Sequence, residues 1–435
     1  MQTFSWSYIK EKWTHTGFQR YLKNTGWMFA ARVFILTVAF FINAYMARYL
    51  GPGNYGLLNY VFSFVGLFSF IASLGIESIA NREIIKNHEK KNLIIGTSFY
   101  LKLIGSLMAI LIIFIFSRYS TNDAILLGLI TMYSFSYIFS AFNIVDIYFQ
   151  SQVLSKYPAI VTITAGIIST ILKIIAMTLG AGIIWLTAIY VLESIIVAAG
   201  LLFFFIYKGH SIKEWVFNKS TAIMILNDSW PLMLSSIAIG IYMKIDQVMI
   251  KNMLGNEQAG IYAVAVKLSE VWYFIPGIIC SSLFPSIVNA VNTSTELFEN
   301  RLRKLYFSMF WISTIIASFI TIFSYPIIKI LFGVPYLEAV PALRIYVWAG
   351  IFVSIGGIVG QFLLIKNLTK ISFYTALLGS ITNVILNMIL IPNIGVSGAA
   401  IATIISYAIA VFGILLFDKS KHQGILILKS LINYK

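Results

Sequence analysis

Six basic residues stand inside long apolar stretches of this sequence, Arg32, Lys102, Lys173, Lys244, Lys267 and Arg344, with the acids Glu193, Asp246 and Glu270 at depth and Glu77 and Asp146 near the cytoplasmic ends, where they are expected to be interfacial. An ionisable side chain at the centre of a bilayer costs roughly 2.5–3.5 kcal/mol on insertion scales, so it must meet a partner or line a polar cavity. Six cations against three deep acids make a shared cavity net positive. Such a cavity suits a phosphate or pyrophosphate and repels a cationic drug. The acids suit another task, since intramembrane carboxyls serve as proton relays and ion sites. Glu193, Asp246 and Glu270 are therefore candidates for coupling to H⁺ or Na⁺. Local pairing is the plainer expectation for two of them: Glu270 with Lys267 one turn away, and Asp246 with Lys244 or Lys251. Glu193 has no local partner, so it is either paired across helices or protonated.

Depth ranks the cations. Lys102 lies near the middle of its apolar stretch, and Lys267 about a third of the way in from the outer face. Lys173, Lys244 and Arg344 are nearer the outer end, and Arg32 is one turn from the cytoplasmic face, where a long side chain can snorkel to water. Other chemistries are missing. There is no G-x-x-x-x-G-K-[ST] loop for P-loop hydrolysis and no His, Cys and carboxylate cluster at metal-ligand spacing. No cofactor, metal or catalytic residue is expected. The one cysteine, Cys280, cannot form an intrachain disulfide and leaves the redox compartment open.

The elements that must position these groups follow from composition. The 435 residues are 59% hydrophobic and only 11% charged, against about 25% charged in a soluble domain; mean hydropathy is +0.87. That excludes a soluble enzyme, a disulfide-framed secreted domain and a disordered chain. A spanning helix needs roughly 20 apolar residues, and apolar runs between polar breaks give twelve: 27–48, 55–81, 92–116, 124–149, 157–179, 183–207, 229–250, 258–285, 305–324, 338–365, 370–390 and 398–417. The fold class is an all-α polytopic membrane protein. Its longest loops, 208–228 and 286–304, leave no room for a catalytic domain. Residues 1–26 mix aromatics with Lys10, Lys12, Arg20 and Lys23 and read as a cytoplasmic interfacial segment rather than a cleavable signal.

The net charge of +15 then sorts by position. With a cytoplasmic N-terminus, the termini and cytoplasmic loops hold 21 of the 31 Lys and Arg, the outer loops hold Arg48, Arg118, Lys251 and Lys329, and six stay within the spans. The positive-inside rule fixes that orientation, with both termini cytoplasmic. His15, His88, His210 and His422 also fall on the cytoplasmic side. Most of the charge is a record of topology and of attraction to anionic headgroups, and no nucleic-acid partner is implied.

Leu50-Gly51 followed by Gly56 matches Leu254-Gly255 followed by Gly260, at a constant offset of 204 residues. Six spans, a longer basic loop and six more spans follow in the same order. A parallel repeat of this kind implies two six-helix bundles, 27–207 and 229–417, joined by a cytoplasmic linker at 208–228 and followed by a basic tail at 418–435, with a cavity between the bundles. Pro231, Pro276, Pro285, Pro326 and Pro341 weaken spans or their ends, and Gly356-Gly357 is expected to break the tenth. Asn43, Asn143, Gln150, Gln361, Asn383 and Asn387 serve either a hydrophilic path for sugars or interhelical hydrogen bonding.

At Tyr49 to Gly56, YLGPGNYG, the chain resembles the polysaccharide flippases of Wzx type, in the larger group that holds the MATE-class multidrug exporters and the peptidoglycan-precursor flippases. The likeness continues through Ser73-Leu74-Gly75-Ile76, Asn81-Arg82-Glu83 and Tyr148-Phe149-Gln150. It returns at Asp246-Gln247, Gly260-Ile261-Tyr262, Lys267-Leu268-Ser269-Glu270 and Phe284-Pro285, and ends at Gly395-Val396-Ser397-Gly398-Ala399-Ala400. The resemblance spans roughly residues 20–420. It implies two six-helix bundles around a central cationic cavity that opens alternately to each side. The substrate it implies is an oligosaccharide repeat unit on undecaprenyl pyrophosphate, moved to the outer leaflet of the cytoplasmic membrane for O-antigen or capsule synthesis. It also implies pathway partners, a polysaccharide polymerase and glycosyltransferases. Arg32 and Lys267 lie on helices that line the cavity in that group. Twelve spans favour the polysaccharide branch over the peptidoglycan-precursor branch, which usually has fourteen helices.

Two other readings stand beside this one. A cation-coupled multidrug antiporter on the same fold would want an acid on the first helix, and 27–48 contains none. A membrane-embedded polymerase or glycosyltransferase needs a catalytic loop that the chain lacks.

Overall fold

A computed structural model describes residues 16–291, 293–366 and 368–432, with side chains from residue 33 onward apart from positions 281, 282, 284–286, 291, 369 and 432. Among the described residues there is helix and no strand. Ten stretches are long and apolar enough to cross a membrane. Two of them are broken by non-helical backbone, at Gly51 and at Ile394-Gly395, which divides the described residues into twelve crossings. Backbone groups in lipid must be satisfied within the segment, which is why only helix appears at this depth.

The repeat is written in the backbone. In Thr16–Gly66 the helix breaks at Gly51, with φ 68° and ψ 170°. The equivalent Gly255, between Lys219–Leu254 and Asn256–Glu270, has φ 92° and ψ 179°. A side chain is disfavoured at either angle, so glycine is required at both turns. The following glycines of the repeat also meet: a Cβ at Gly56 would overlap the Asn256 carbonyl, and one at Gly260 would overlap that of Pro52. Close approach through small residues is how membrane helices gain packing energy without a hydrophobic drive.

Several boundaries differ from those expected. The second crossing does not end near residue 81. After a kink at Leu74 (φ 51°) and Gly75 (φ 63°), Ile76–Lys86 carries it one turn further. The tenth crossing is interrupted at Val347 and Trp348, between Ala339–Tyr346 and Ala349–Ile365, and Gly356-Gly357 lies within continuous helix. Helix Lys219–Leu254 starts inside the expected linker, leaving 208–218 as the connection. Most of the tail expected at 418–435 is helical. Asp418–Ile432 is an amphipathic helix that buries Ser420, Gln423, Ile427 and Ser430 while leaving Lys419, Lys421 and Lys429 exposed. Its Gln423 amide donates to the Tyr306 hydroxyl at 2.8 Å.

The chain divides into two compact units. Of the described residues, the first comprises 16–42 and 68–230. Its crossings Lys156–Thr178 and Ile183–Tyr207 form an antiparallel hairpin in which Gly200 accommodates Val161. Its third crossing, Lys91–Ser120, uses Gly105 to accept the backbone of Ile71 and Gly96 to accept that of Trp215 and Val216, which ties the 208–218 connection down. Of the described residues, the second unit comprises 43–67 and 231–432. Its core includes Phe298, Leu305, Tyr306, Met309, Ile358 and Phe362. A Ser313–Ser354 hydroxyl contact of 2.7 Å joins Thr295–Ile322 to Ala349–Ile365.

Candidate functional site

In the second unit, Lys244 projects from Lys219–Leu254 and is half-buried, its stem running past Gly66 at 3.9 Å from where a Cβ would stand. Lys267, on Asn256–Glu270, is exposed while Ala265, Leu268 and Ser269 beside it are buried. The charges that act on Lys267 are those of Lys244 and Glu270. Glu270 is not its close partner. Among the described residues no ion pair within 4.0 Å joins them, and Glu270 instead accepts a hydrogen bond of 3.2 Å from the Tyr346 hydroxyl. The expected one-turn pair is thus replaced, because a buried phenol on another helix offers a fixed donor. Two ammonium groups held in each other's field repel, and an anion bound beside both relieves that repulsion.

Asp246 sits two residues from Lys244 but is almost wholly buried, at 3% exposure. It takes neither Lys244 nor Lys251 as partner. Its carboxylate accepts from Tyr262 at 2.8 Å, Asn387 at 2.6 Å and Thr403 at 2.5 Å. Asn387 also donates to the Asn383 carbonyl oxygen at 3.1 Å. These donors come from three further helical segments, so the carboxylate gathers the second unit around a neutral polar shell. Asn383 and Asn387 are here the bonding groups of that shell rather than the lining of an open path. The signal for the shell was weak in sequence, since its members are 16, 141 and 157 residues from Asp246. Arg344 is exposed, and its guanidinium Nε donates to the Ser324 hydroxyl at 2.8 Å.

In the first unit the cations are paired. Lys102 is 2% exposed and its Nζ lies 2.9 Å from the Glu77 carboxylate. Glu77, expected as an interfacial group, therefore serves as counter-ion to the deepest lysine. Lys173, also buried, meets Glu193 at 3.2 Å across the fifth and sixth crossings, and Ser169 donates to the same carboxylate oxygen at 2.5 Å. Of the two alternatives for Glu193, pairing across helices is the one the structure shows. The Lys173 ammonium also lies 3.5 Å from the centroid of the Tyr190 ring. Arg32 lies in Thr16–Gly66, but its side chain is outside the described residues.

Gln150 donates to Asp146 at 3.0 Å, while Asn143 lines a recess beside Glu193. Among the described residues no three His, Cys, Asp or Glu side chains come together as a metal site.

Residues 21–291 match the family described as Polysaccharide biosynthesis protein. The probable low-salt glycan biosynthesis flippase Agl15 of Haloferax volcanii is 27% identical over 179 residues, which is 40% of this chain and 37% of that protein. The chain spans less than half the length of the curated relatives it matches. In fold it is similar to the lipid II flippase MurJ in its inward closed conformation. That match has a TM-score of 0.72 and 20% identity over 93% of this chain and 90% of that one. It is also similar to an inward-facing multidrug resistance MATE family transporter of the MOP superfamily, with a TM-score of 0.73 and 15% identity over 91% of this chain and 96% of that one. Twelve crossings in a MATE-like arrangement, together with a sequence match over more than half of the 435 residues, make this membrane protein a member of the polysaccharide biosynthesis protein family.

Proposed function

We propose that the protein is a flippase that carries an undecaprenyl-pyrophosphate-linked oligosaccharide repeat unit from the cytoplasmic to the outer leaflet by alternating access, for surface polysaccharide such as O-antigen or capsule. The observation that supports this most is the Lys244–Lys267 pair. Lys267 stands exposed on a membrane-spanning helix in the field of both Lys244 and Glu270, and Glu270, one turn away, bonds to Tyr346 rather than to it. A doubly anionic pyrophosphate answers that arrangement, and a cationic drug is repelled by it, which weakens the antiporter reading. Arg32 and Arg344 are further cation candidates. Lys102 and Lys173 are more remote ones, since each already has a counter-ion.

Asp246 is the coupling acid we favour. Its carboxylate is ringed by neutral oxygen- and nitrogen-bearing side chains, and among the described residues no cation bonds to it, so binding H⁺ or Na⁺ there would reorganise contacts from several helices at once. Glu193 and Glu270 are the lesser candidates. The bundles 27–207 and 229–417, placement in the cytoplasmic membrane with both termini cytoplasmic, and work beside a polymerase and glycosyltransferases complete the reading. The test is flipping of a fluorescent polyprenyl pyrophosphate in proteoliposomes. Lys244→Ala and Lys267→Ala should each slow it severely with protein still inserted; unchanged rates in both would end the cationic-site model.

A further inference from the structure

We infer that a recess within the first unit, between the fourth and sixth crossings, is a subsite for a single neutral sugar ring of the cargo; the inference rests on the transport reading above. The fourth crossing is not one smooth helix. It runs as Ala124–Ser134, Ser136–Ser140, a 3₁₀ turn at Ala141–Asn143, and Ile144–Ser151. Facing Ile183–Tyr207, this broken path leaves a cavity of about 260 Å³ lined by Tyr133, Phe139, Asn143, Tyr190, Glu193 and Ser194, among others. That is smaller than the roughly 300–1,000 Å³ of sites for drug-sized ligands. It has room for one ring rather than a chain of them.

The charge arrangement selects the ligand. Both bonds to Glu193 from Ser169 and Lys173 fall on Oε2, and Oε1 takes no hydrogen bond among the described residues. The Glu193 side chain is 32% exposed, whereas Lys173 behind it is 5% exposed. The lysine thus neutralises the carboxylate from the protein side without reaching the cavity. A phosphate would meet the carboxylate and find no accessible ammonium. A cationic ligand would meet a charge already compensated. A sugar ring offers what remains: hydroxyl donors for Oε1, partners for the amide of Asn143 and the hydroxyl of Ser194, and an apolar ring face for the Tyr and Phe side chains. The Tyr190 ring is itself oriented by the Lys173 ammonium against its face.

The test uses the full chain in lipid nanodiscs and two probes, polyprenyl pyrophosphate without sugar and the same lipid carrying one N-acetylhexosamine. The quantity read is the ratio of their dissociation constants. In the wild type the glycosylated lipid should bind about tenfold more tightly, the worth of one charge-assisted hydrogen bond. Glu193→Gln should bring the ratio close to one. Because Glu193→Gln strands a buried lysine, the double variant Lys173→Met/Glu193→Gln is measured beside it and should also show a ratio near one. A wild-type ratio of one overturns the subsite and leaves lipid-pyrophosphate transport standing. A double variant that recovers the wild-type ratio overturns it as well, by reducing the pair to a structural contact. Failure of the wild type to bind either lipid overturns the transport reading and the subsite with it.

Discussion

The two units handle intramembrane charge in opposite ways. In the first, Lys102 and Lys173 are each buried against a carboxylate from another helix. In the second, Lys244 and Lys267 act on each other, and the one deeply buried acid, Asp246, is bonded by an amide and two hydroxyls. Paired charges stabilise a helix bundle and attract little. Grouped like charges are a standing cost that a ligand removes. On the proposed flippase reading, the contrast puts anion binding in the second unit and a neutral recess in the first.

The largest effect should come from deleting the grouped charge. Each of Lys244→Ala and Lys267→Ala should weaken binding of polyprenyl pyrophosphate by on the order of ten- to a hundredfold, the worth of a hydrogen bond to a charged group. Lys102→Ala should leave it within about threefold, well under 1 kcal/mol. A loss at Lys102 equal to that at Lys267 would erase the distinction between the units.

Next in size is an asymmetry within one ion pair. Lys102 is 2% exposed while Glu77 is 54% exposed. Removing the acid strands a buried ammonium, and Glu77→Gln should cost about 3 kcal/mol, at the low end for a broken buried pair. Removing the base leaves a carboxylate that water can reach, so Lys102→Met should cost no more than about 1 kcal/mol. Denaturation in mild detergent measures both. Equal losses would mean that the pair is less one-sided than its burial indicates.

Helix packing offers a third test. Gly56 and Gly260 approach each other's backbone closely in the second unit, and Gly105 does the same against Ile71 in the first. Gly260→Ala should destabilise by about 1–3 kcal/mol through overpacking. Gly128→Ala, at a site with open space around it, should instead be neutral or slightly stabilising, because alanine is the better helix former. Thermal unfolding followed by circular dichroism separates the two.

Much of the fold was legible because its causes are local. Apolar runs of spanning length mark the crossings, and the 204-residue offset between Gly51 and Gly255 foretold two turns with nearly the same backbone angles. The site was less legible because its causes are not local. Glu77 and Lys102 are 25 residues apart, and Glu193 and Lys173 are 20 apart, on separate crossings. Nothing in helical spacing says which faces will meet. The local partners expected for Glu270 and Asp246 lost to Tyr346, Asn387 and Thr403, which approach from other helices. The helix at Asp418–Ile432 was hidden for a related reason, since its buried face includes Ser420, Gln423 and Ser430 as well as Leu426 and Ile427.

The smallest expected effect concerns the connection at 208–218, which belongs to the first unit. His210 packs against Phe205 and shares a hydrogen bond of 2.8 Å between its Nε2 and the Tyr148 hydroxyl. Burial holds its pKa below the ordinary 6.5; the positive charge of Lys91 pushes the same way, and Glu214 opposes them. The unfolded chain therefore takes up a proton at a higher pH than the folded one. Stability from this contact is complete above about pH 6.5 and is lost as pH falls through that value toward the folded pKa. The site is largely solvated, so the change should be small, on the order of 1 °C in Tm between pH 7.5 and 5.5. His210→Gln should remove that pH-dependent difference while leaving the Lys244 and Lys267 effects intact. A slope that survives the substitution would move the pH sensitivity to another group.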